Sequence, residues 1–556
     1  MTPENQVRFD PASTVDFVIV GSGSAGGILA KELSTAGFDV VVLEQGPFRT
    51  AADFTHDEIA VAFLHELLGG GPEIHQQTFR DDESQVAVVP GRVQPAEYVQ
   101  GVGGSSVHFT GNFWRFRDVD FRERSLLGPI DGTTFADWPI DYAELEPYYT
   151  RVDWEIGVSG SPGPFDPPRS KPFPMPPMPV KSSGVLLERG ANKLGLHAQP
   201  APLAILSQPF NDRPPCINCG YCMGFGCEVG AKSSTLAAMI PLALASGHCE
   251  IRPECAVFRL ETGANGKIGN VVYYDPDGKE TSQKARAVVL AANGVETPRL
   301  LLNSASPRYP DGLANSSGFV GRNLMLNAHA LANGVFEHTL NDYKGVQVTR
   351  IIHDFYDSDP ARGFYGGGGL DARPLFSATP IFFALAGTPT DGPSWGAGYK
   401  QTLAHNFSRQ MSILCSTTSL ALDRNNITID PTHKDKWGRP SLRMTYKDHP
   451  DDLAMAGFLL DKAMELFDAA GAEKAWAYPI GGTTGGAHLL GTCRMGDDPQ
   501  TSVVDRYHRS HDISNLFICD GSSFVTSGRG QPTMTIMALA FRAAEHIARA
   551  AKANEV

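Results

Sequence analysis

No apolar run in this sequence approaches the ~18 residues needed to cross a bilayer, so a membrane-spanning helix is not expected. An excess of basic residues is also missing. The formal net charge is −14, which argues against nucleic acid as a partner. The opening residues, MTPENQVRFDPAST, carry neither an apolar signal core nor a twin-arginine pair, and the cytoplasm is the default expectation. There is no internal repeat. Hydrophobic residues at 42% and charged residues at 19% describe a globular chain, and 556 residues exceed one compact domain, so two or three lobes are expected. The nine cysteines are few for this length, but Cys216, Cys219, Cys222 and Cys227 crowd into one short segment.

The most informative stretch is VDFVIVGSGSAGGILAKELSTAGFDVVVLEQG, from Val15. An apolar run breaks at Gly21, Gly23 and Gly26, a helical pattern follows, and a second apolar run ends at Glu44. This is the strand–turn–helix–strand signature of dinucleotide binding. Gly21 permits the tight turn, Gly23 lets the backbone approach a pyrophosphate, and Gly26 allows close helix–strand packing. Ser24 lies in the same turn, where the helix N-terminus offers free N–H groups to phosphates. Glu44 is placed to accept from a ribose diol, and it would repel a 2′-phosphate.

Farther on, residues 161–180 are so rich in proline that they predict an extended surface crossing. Strand signals recur near Glu250–Val257 and Asn270–Tyr274, then ARAVVLAANGVETPRLLLNSAS reads as strand, turn and helix. Residues 330–450 mix short β-like runs with glycine-rich breaks, residues 452–470 read as helix, and the tail reads as strand, loop and long helix. The expected fold is α/β: a Rossmann-like nucleotide domain interleaved with a lobe built on an antiparallel sheet with helices. Expected boundaries are 10–330 for the nucleotide domain, 331–475 for the substrate lobe, and 476–556 for a catalytic segment returning to the first domain.

The chain resembles the glucose–methanol–choline oxidoreductases, flavoproteins that oxidise alcohols and sugars. GSGSAGG with Glu44, GVGGSSVHFTGN, AANGVETPRLLLNS, and HLLGTCRMG followed by NLFICDGSSF carry the resemblance in the family's order. It implies resident FAD, and places Gly103, Gly104, Ser105, His108, Asn112, Val257, Asp520 and Thr533 around that cofactor. A histidine matching His108 is bonded covalently to flavin in some members and free in others, and both readings stay open. His488 matches the catalytic histidine that takes the hydroxyl proton while hydride passes to flavin N5. Where the family usually has His or Asn, this chain has Gln531, an amide able to donate to the substrate oxygen. Arg529 is an alternative anion stabiliser.

Cys216, Cys219, Cys222 and Cys227 follow a C-x2-C-x2-C-x4-C spacing compatible with an iron–sulfur cluster, with zinc, or with a metal-free turn. The expected activity is oxidation of an alcohol or hemiacetal carbon of a sugar, sugar acid or polyol. The expected acceptor is a carrier such as a cytochrome c, reached with a small subunit. A partner bearing the twin-arginine signal would move the compartment to the periplasm. An oxygen-using oxidase and a non-catalytic electron-relay flavoprotein are the alternatives.

Overall fold

The first strand, Thr14–Val20, reads TVDFVIV, and Phe17, Val18 and Ile19 have no exposed surface. Burial on both faces is what a near-continuous apolar run in a parallel strand requires. Each of those side chains contributes roughly 1.5–3 kcal/mol on leaving water. In the computed structural model, which describes residues 6–62, 76–90, 94–374, 380–381, 384, 387–389 and 391–556, this strand is central to a seven-stranded sheet. Its parallel neighbours are Val40–Leu43 and Glu280–Leu290, and Cys249–Arg252 lies outside Val40–Leu43.

Glu280–Leu290 is long enough to pair twice along its other edge. Its first half pairs antiparallel with Ile268–Tyr274, and its last residues pair parallel with Leu516–Ile518. The tail of the chain therefore completes the first domain's sheet, and the interleaving expected from sequence is present. The tail's helix, Thr533–Lys552, is amphipathic and packs its apolar face on helices Gly26–Thr35 and Tyr142–Val152.

The second sheet has six antiparallel strands in the order Lys474–Ala477, His329–Val335, Gln410–Thr417, Gly368–Arg373, Arg350–Ile352, Ala198–Pro200. One face carries Ala330, Cys415, Leu370 and Ile352, which are buried with Met455 and Leu459 of helix Pro450–Ala470. Period-two alternation turns the intervening residues to the other face, toward the nucleotide domain. This lobe borrows strand Ala198–Pro200 and helix Ser182–Leu194 from the earlier part of the chain and starts at His329. A third, smaller sheet pairs Gln77–Arg80 with Pro440–Thr445, again joining distant segments.

Candidate active site

The turn after the first strand is held by backbone contacts that admit no side chain. Gly21 has φ +93°, and a Cβ there would sit 2.5 Å from the Ala291 carbonyl oxygen. A Cβ at Gly26 would meet the Gly21 carbonyl oxygen at 2.0 Å, so the helix can start only on glycine. Across the groove, Gly104 has φ +57°, and its Cβ would lie 2.7 Å from the Gly23 Cα. Two glycine-rich loops 80 residues apart in sequence are thus pressed backbone to backbone. Ser22 fastens them: its Oγ accepts from the Gly103 N–H at 3.1 Å. Thr235, which sequence reasoning missed, has its hydroxyl within 3.3 Å of the Ser22 and Gly23 carbonyls and 3.2 Å of that of Gly103.

Glu44 stands at the end of the second strand, as expected. Its Oε2 accepts from the Ser22 N–H (3.0 Å) and hydroxyl (2.8 Å), and its Oε1 from the Gly46 N–H (3.0 Å). Burial raises its pKa, and those hydrogen bonds oppose the rise. A ribose diol would share this carboxylate with protein donors. Val257 lies just past Cys255, whose N–H donates to the Glu44 carbonyl at 2.8 Å. Asp520 caps two loops at once, accepting from the Ser522 N–H (2.8 Å), the Asn293 N–H (3.0 Å) and the Thr297 hydroxyl (2.6 Å). It stitches the last strand of the sheet to the AANG turn. Ser24 and Thr533 are half-buried, Thr533 opening the terminal helix. Ser105 is exposed, and its hydroxyl accepts from the Val99 N–H.

His108 and Asn112 are buried, and among the described residues neither His108 ring nitrogen nor either Asn112 amide atom has a partner. Orphaned polar atoms at these positions fit a cofactor that supplies the missing bonds. Burial first, then Lys232 and Arg49, lowers the His108 pKa to about 3, so its imidazole is neutral. Lys232 is itself buried. Its ammonium donates to the carbonyls of Phe109 (3.1 Å), Phe225 (2.8 Å) and Cys222, tying the His108 loop to the cysteine segment.

In that segment all four cysteines are free thiols. Among the described residues no group of three or more His, Cys, Asp or Glu side chains is arranged to hold a metal ion. Burial pushes the thiols of Cys216 and Cys222 up to about 11 and about 12. An iron–sulfur or zinc centre here would need these side chains drawn together and deprotonated.

His488 is half-buried, and its ring packs edge-to-face on that of His329, centroids 5.4 Å apart. Its Nδ1 has no partner among the described residues. Burial, then His329 and Arg373, lowers its pKa to about 3. His329 is accessible to solvent, yet loss of surrounding water lowers its pKa to about 4. Both hold where a ring faces a recess instead of bulk water. The recess therefore presents neutral imidazoles, the form a base requires.

Segment Gly528–Gln531 lies against the same sheet. Asn327 donates to the Thr417 carbonyl at 2.8 Å and the Gly528 carbonyl at 3.4 Å, and a Cβ at Gly530 would be 3.3 Å from that of Ser416, which pairs with His329. Gln531, the next residue, is half-buried beside this row. Arg529 is not available as an anion stabiliser. It is fully enclosed and ion-paired with Asp120 (2.5 Å) and Glu123, with the Ser358 hydroxyl at 3.1 Å. A guanidinium cannot be buried without such partners, and here they hold it away from the recess.

Sequence reasoning also missed His329, His353 and Trp114. His329 opens a strand 159 positions before His488, and only the fold brings the two rings together.

Two family profiles described as GMC oxidoreductase match residues 140–329 and 421–540. A 2-methyl-1,2-propanediol dehydrogenase from Mycolicibacterium austroafricanum is 34% identical over 97% of this chain and 96% of its own length. The fructose dehydrogenase large subunit of Gluconobacter japonicus is 29% identical over 96% of this chain and 98% of its own. The gluconate 2-dehydrogenase flavoprotein of Pantoea cypripedii is also 29% identical, over 96% and 93%. Among solved structures, pyridoxine 4-oxidase from Mesorbium loti superposes with TM-score 0.63 at 18% identity, covering 96% of this chain and 99% of that one, a likeness of fold. On the matched motifs, the glycine cradle and the near full-length relatives, the chain belongs to the GMC oxidoreductases, a family of FAD-dependent dehydrogenases and oxidases.

Proposed function

We propose that the chain oxidises a hydroxyl-bearing carbon of a polyol, sugar or sugar acid to a carbonyl and passes the electrons to a carrier. The observation that carries this reading is His488: a neutral imidazole whose Nδ1 has no partner among the described residues, set against the ring of His329. FAD bound in the glycine cradle supplies the hydride acceptor that such an oxidation needs. His488 takes the proton from the substrate hydroxyl. Gln531, beside Gly530, orients the same oxygen by donating from its amide. His329 packs on the His488 ring and restricts its orientation.

The three dehydrogenases above act on a diol, a sugar and a sugar acid by name, which supports the substrate class and a carrier as acceptor. The words "large subunit" in one of them support a small partner subunit, and a cytochrome is the carrier we propose. A second reading, an oxygen-using oxidase, is favoured by a 30%-identical paromamine 6′-oxidase from Streptomyces fradiae. Iron–sulfur and covalent flavin are absorbance questions: bands beyond those of flavin report the first, and colour retained in acid-precipitated protein reports the second.

The test is H488A under anaerobic conditions. Flavin reduction by substrate should slow about 10²–10⁴-fold, the usual contribution of a positioned base, while FAD stays bound. Reduction at the wild-type rate would remove His488 from the chemistry. Reoxidation by cytochrome c in preference to oxygen separates the dehydrogenase from the oxidase.

A further inference from the structure

The sheet that carries His329 continues away from His488 along one row of the substrate lobe. In the antiparallel register His329 faces Ser416, and Ser416 faces Gly369. On the next strand Ile352 faces Leu370, which brings His353 opposite Gly369. The row His329–Ser416–Gly369–His353 thus crosses four strands on the face turned from helix Pro450–Ala470. Directly opposed residues share a face. Three strand spacings set the two end backbones roughly 14 Å apart.

Glycine in this row leaves room for the imidazole: a Cβ at Gly369 would lie 2.8 Å from the His353 Cδ2 and 3.2 Å from its Nε2. His353 is buried, yet among the described residues neither of its ring nitrogens has a partner. Its ring lies 4.7 Å from that of Trp114 and 5.4 Å from that of Tyr356. Trp114 closes the row toward Gln531, since a Cβ on Gly530 would be 2.9 Å from the indole. Trp114 Nε1 and Ser416 Oγ are also buried without partners among the described residues. Burial, then Arg117, holds the His353 pKa well below 6.5, so one nitrogen donates and the other accepts.

Unpartnered polar atoms in an enclosed site call for a polar ligand, because a buried polar group left unsatisfied is unfavourable. These are spread along one row, and a single reacting hydroxyl at His488 cannot serve all of them.

The geometry points to His353 as a specificity-determining residue that binds an oxygen of the substrate several carbons away from the one oxidised at His488. The substrate is then a five- or six-carbon polyol, sugar or sugar acid in preference to a short diol. Ser416 and Trp114 meet the oxygens between. This rests on the proposed oxidation at His488.

The experiment measures anaerobic flavin reduction with matched probes: hexane-1,6-diol against hexan-1-ol, and D-glucitol against propane-1,2-diol. The wild-type protein should favour the probe with the remote oxygen by at least about tenfold in kcat/KM, roughly one neutral hydrogen bond. H353F should bring both ratios toward one by lowering kcat/KM on hexane-1,6-diol and D-glucitol more than on hexan-1-ol and propane-1,2-diol. Unchanged ratios in H353F overturn the inference alone and leave the oxidation standing. A wild-type flavin that no probe reduces overturns the oxidation and this inference together. H353A is made in parallel, and loss of bound FAD in both variants also overturns the inference, by making His353 structural.

Discussion

The glycine cradle and the histidine recess solve opposite problems within one chain. In the cradle, backbone meets backbone at Gly21, Gly26 and Gly104, and the Ser22 and Thr235 hydroxyls are engaged inside the protein. In the recess, His488, His353, Trp114 and Ser416 keep polar atoms without partners among the described residues. A surface made of glycine backbone is complementary to one fixed ligand and stays dedicated to it. A surface of unpartnered side chains is completed anew by each substrate, and its specificity changes with single residues. On the proposed roles, cofactor retention belongs to one region and substrate choice to the other.

The largest stability effect should come from the buried ion-pair network of Arg529. R529A leaves Asp120 and Glu123 buried without their cation and should lower unfolding free energy by about 3–5 kcal/mol, read from denaturant midpoints. A shift under 1 kcal/mol would mean that the network is not structural. A breach of the cradle should do less to the fold and more to the cofactor. In G26A the new methyl meets the Gly21 carbonyl, at about 1–3 kcal/mol for overpacking, and flavin absorbance per protein should fall while H488A keeps it. Equal flavin content in G26A and H488A would erase the distinction between the two regions.

Smaller effects follow from the histidines. His508, fully buried beside the last strand, donates through Nδ1 to the Ile518 carbonyl at 2.9 Å, and burial, then Arg542, lowers its pKa to about 3. Unfolding restores a value near 6.5, so between pH 6.5 and about 3 the unfolded chain binds a proton that the native one refuses. Its share of stability is complete above pH 6.5 and drains by about 1.4 kcal/mol per pH unit on acidification through that window. H508N, which tolerates the left-handed backbone there (φ +67°), should flatten the slope of unfolding free energy against pH by that amount. In the recess the same physics governs rate. With His488 lowered to about 3, its base form persists in mild acid, and the acid limb of kcat/KM should fall well below pH 6.5. An acid limb at 6.5 or higher would mean that the filled site restores water or an anion to this imidazole.

Legibility differed between the regions for a physical reason. The strand, turn, helix and acid of Thr14–Glu44 lie in one continuous stretch, so each glycine's task could be read from its offset. The return of Leu516–Ile518 to the first sheet was legible as well, since the strand–loop–helix pattern of the tail has no other sheet signal near it. Arg529 was misjudged because Asp120 and Glu123, some 400 residues earlier, leave no local trace of their claim on it. The cysteine spacing suggested a ligand set, whereas the fold has four free thiols and, among the described residues, no group arranged to hold a metal ion.

By itself the sequence determined the dinucleotide cradle and the place of His488 in its motif, because both depend on residues a few positions apart. Only the tertiary structure decided what surrounds that histidine. Sheet register brings His329, Ser416, Gly369 and His353 into one row, and register is set by which faces can bury their apolar side chains against helix Pro450–Ala470, a property of the folded lobe as a whole.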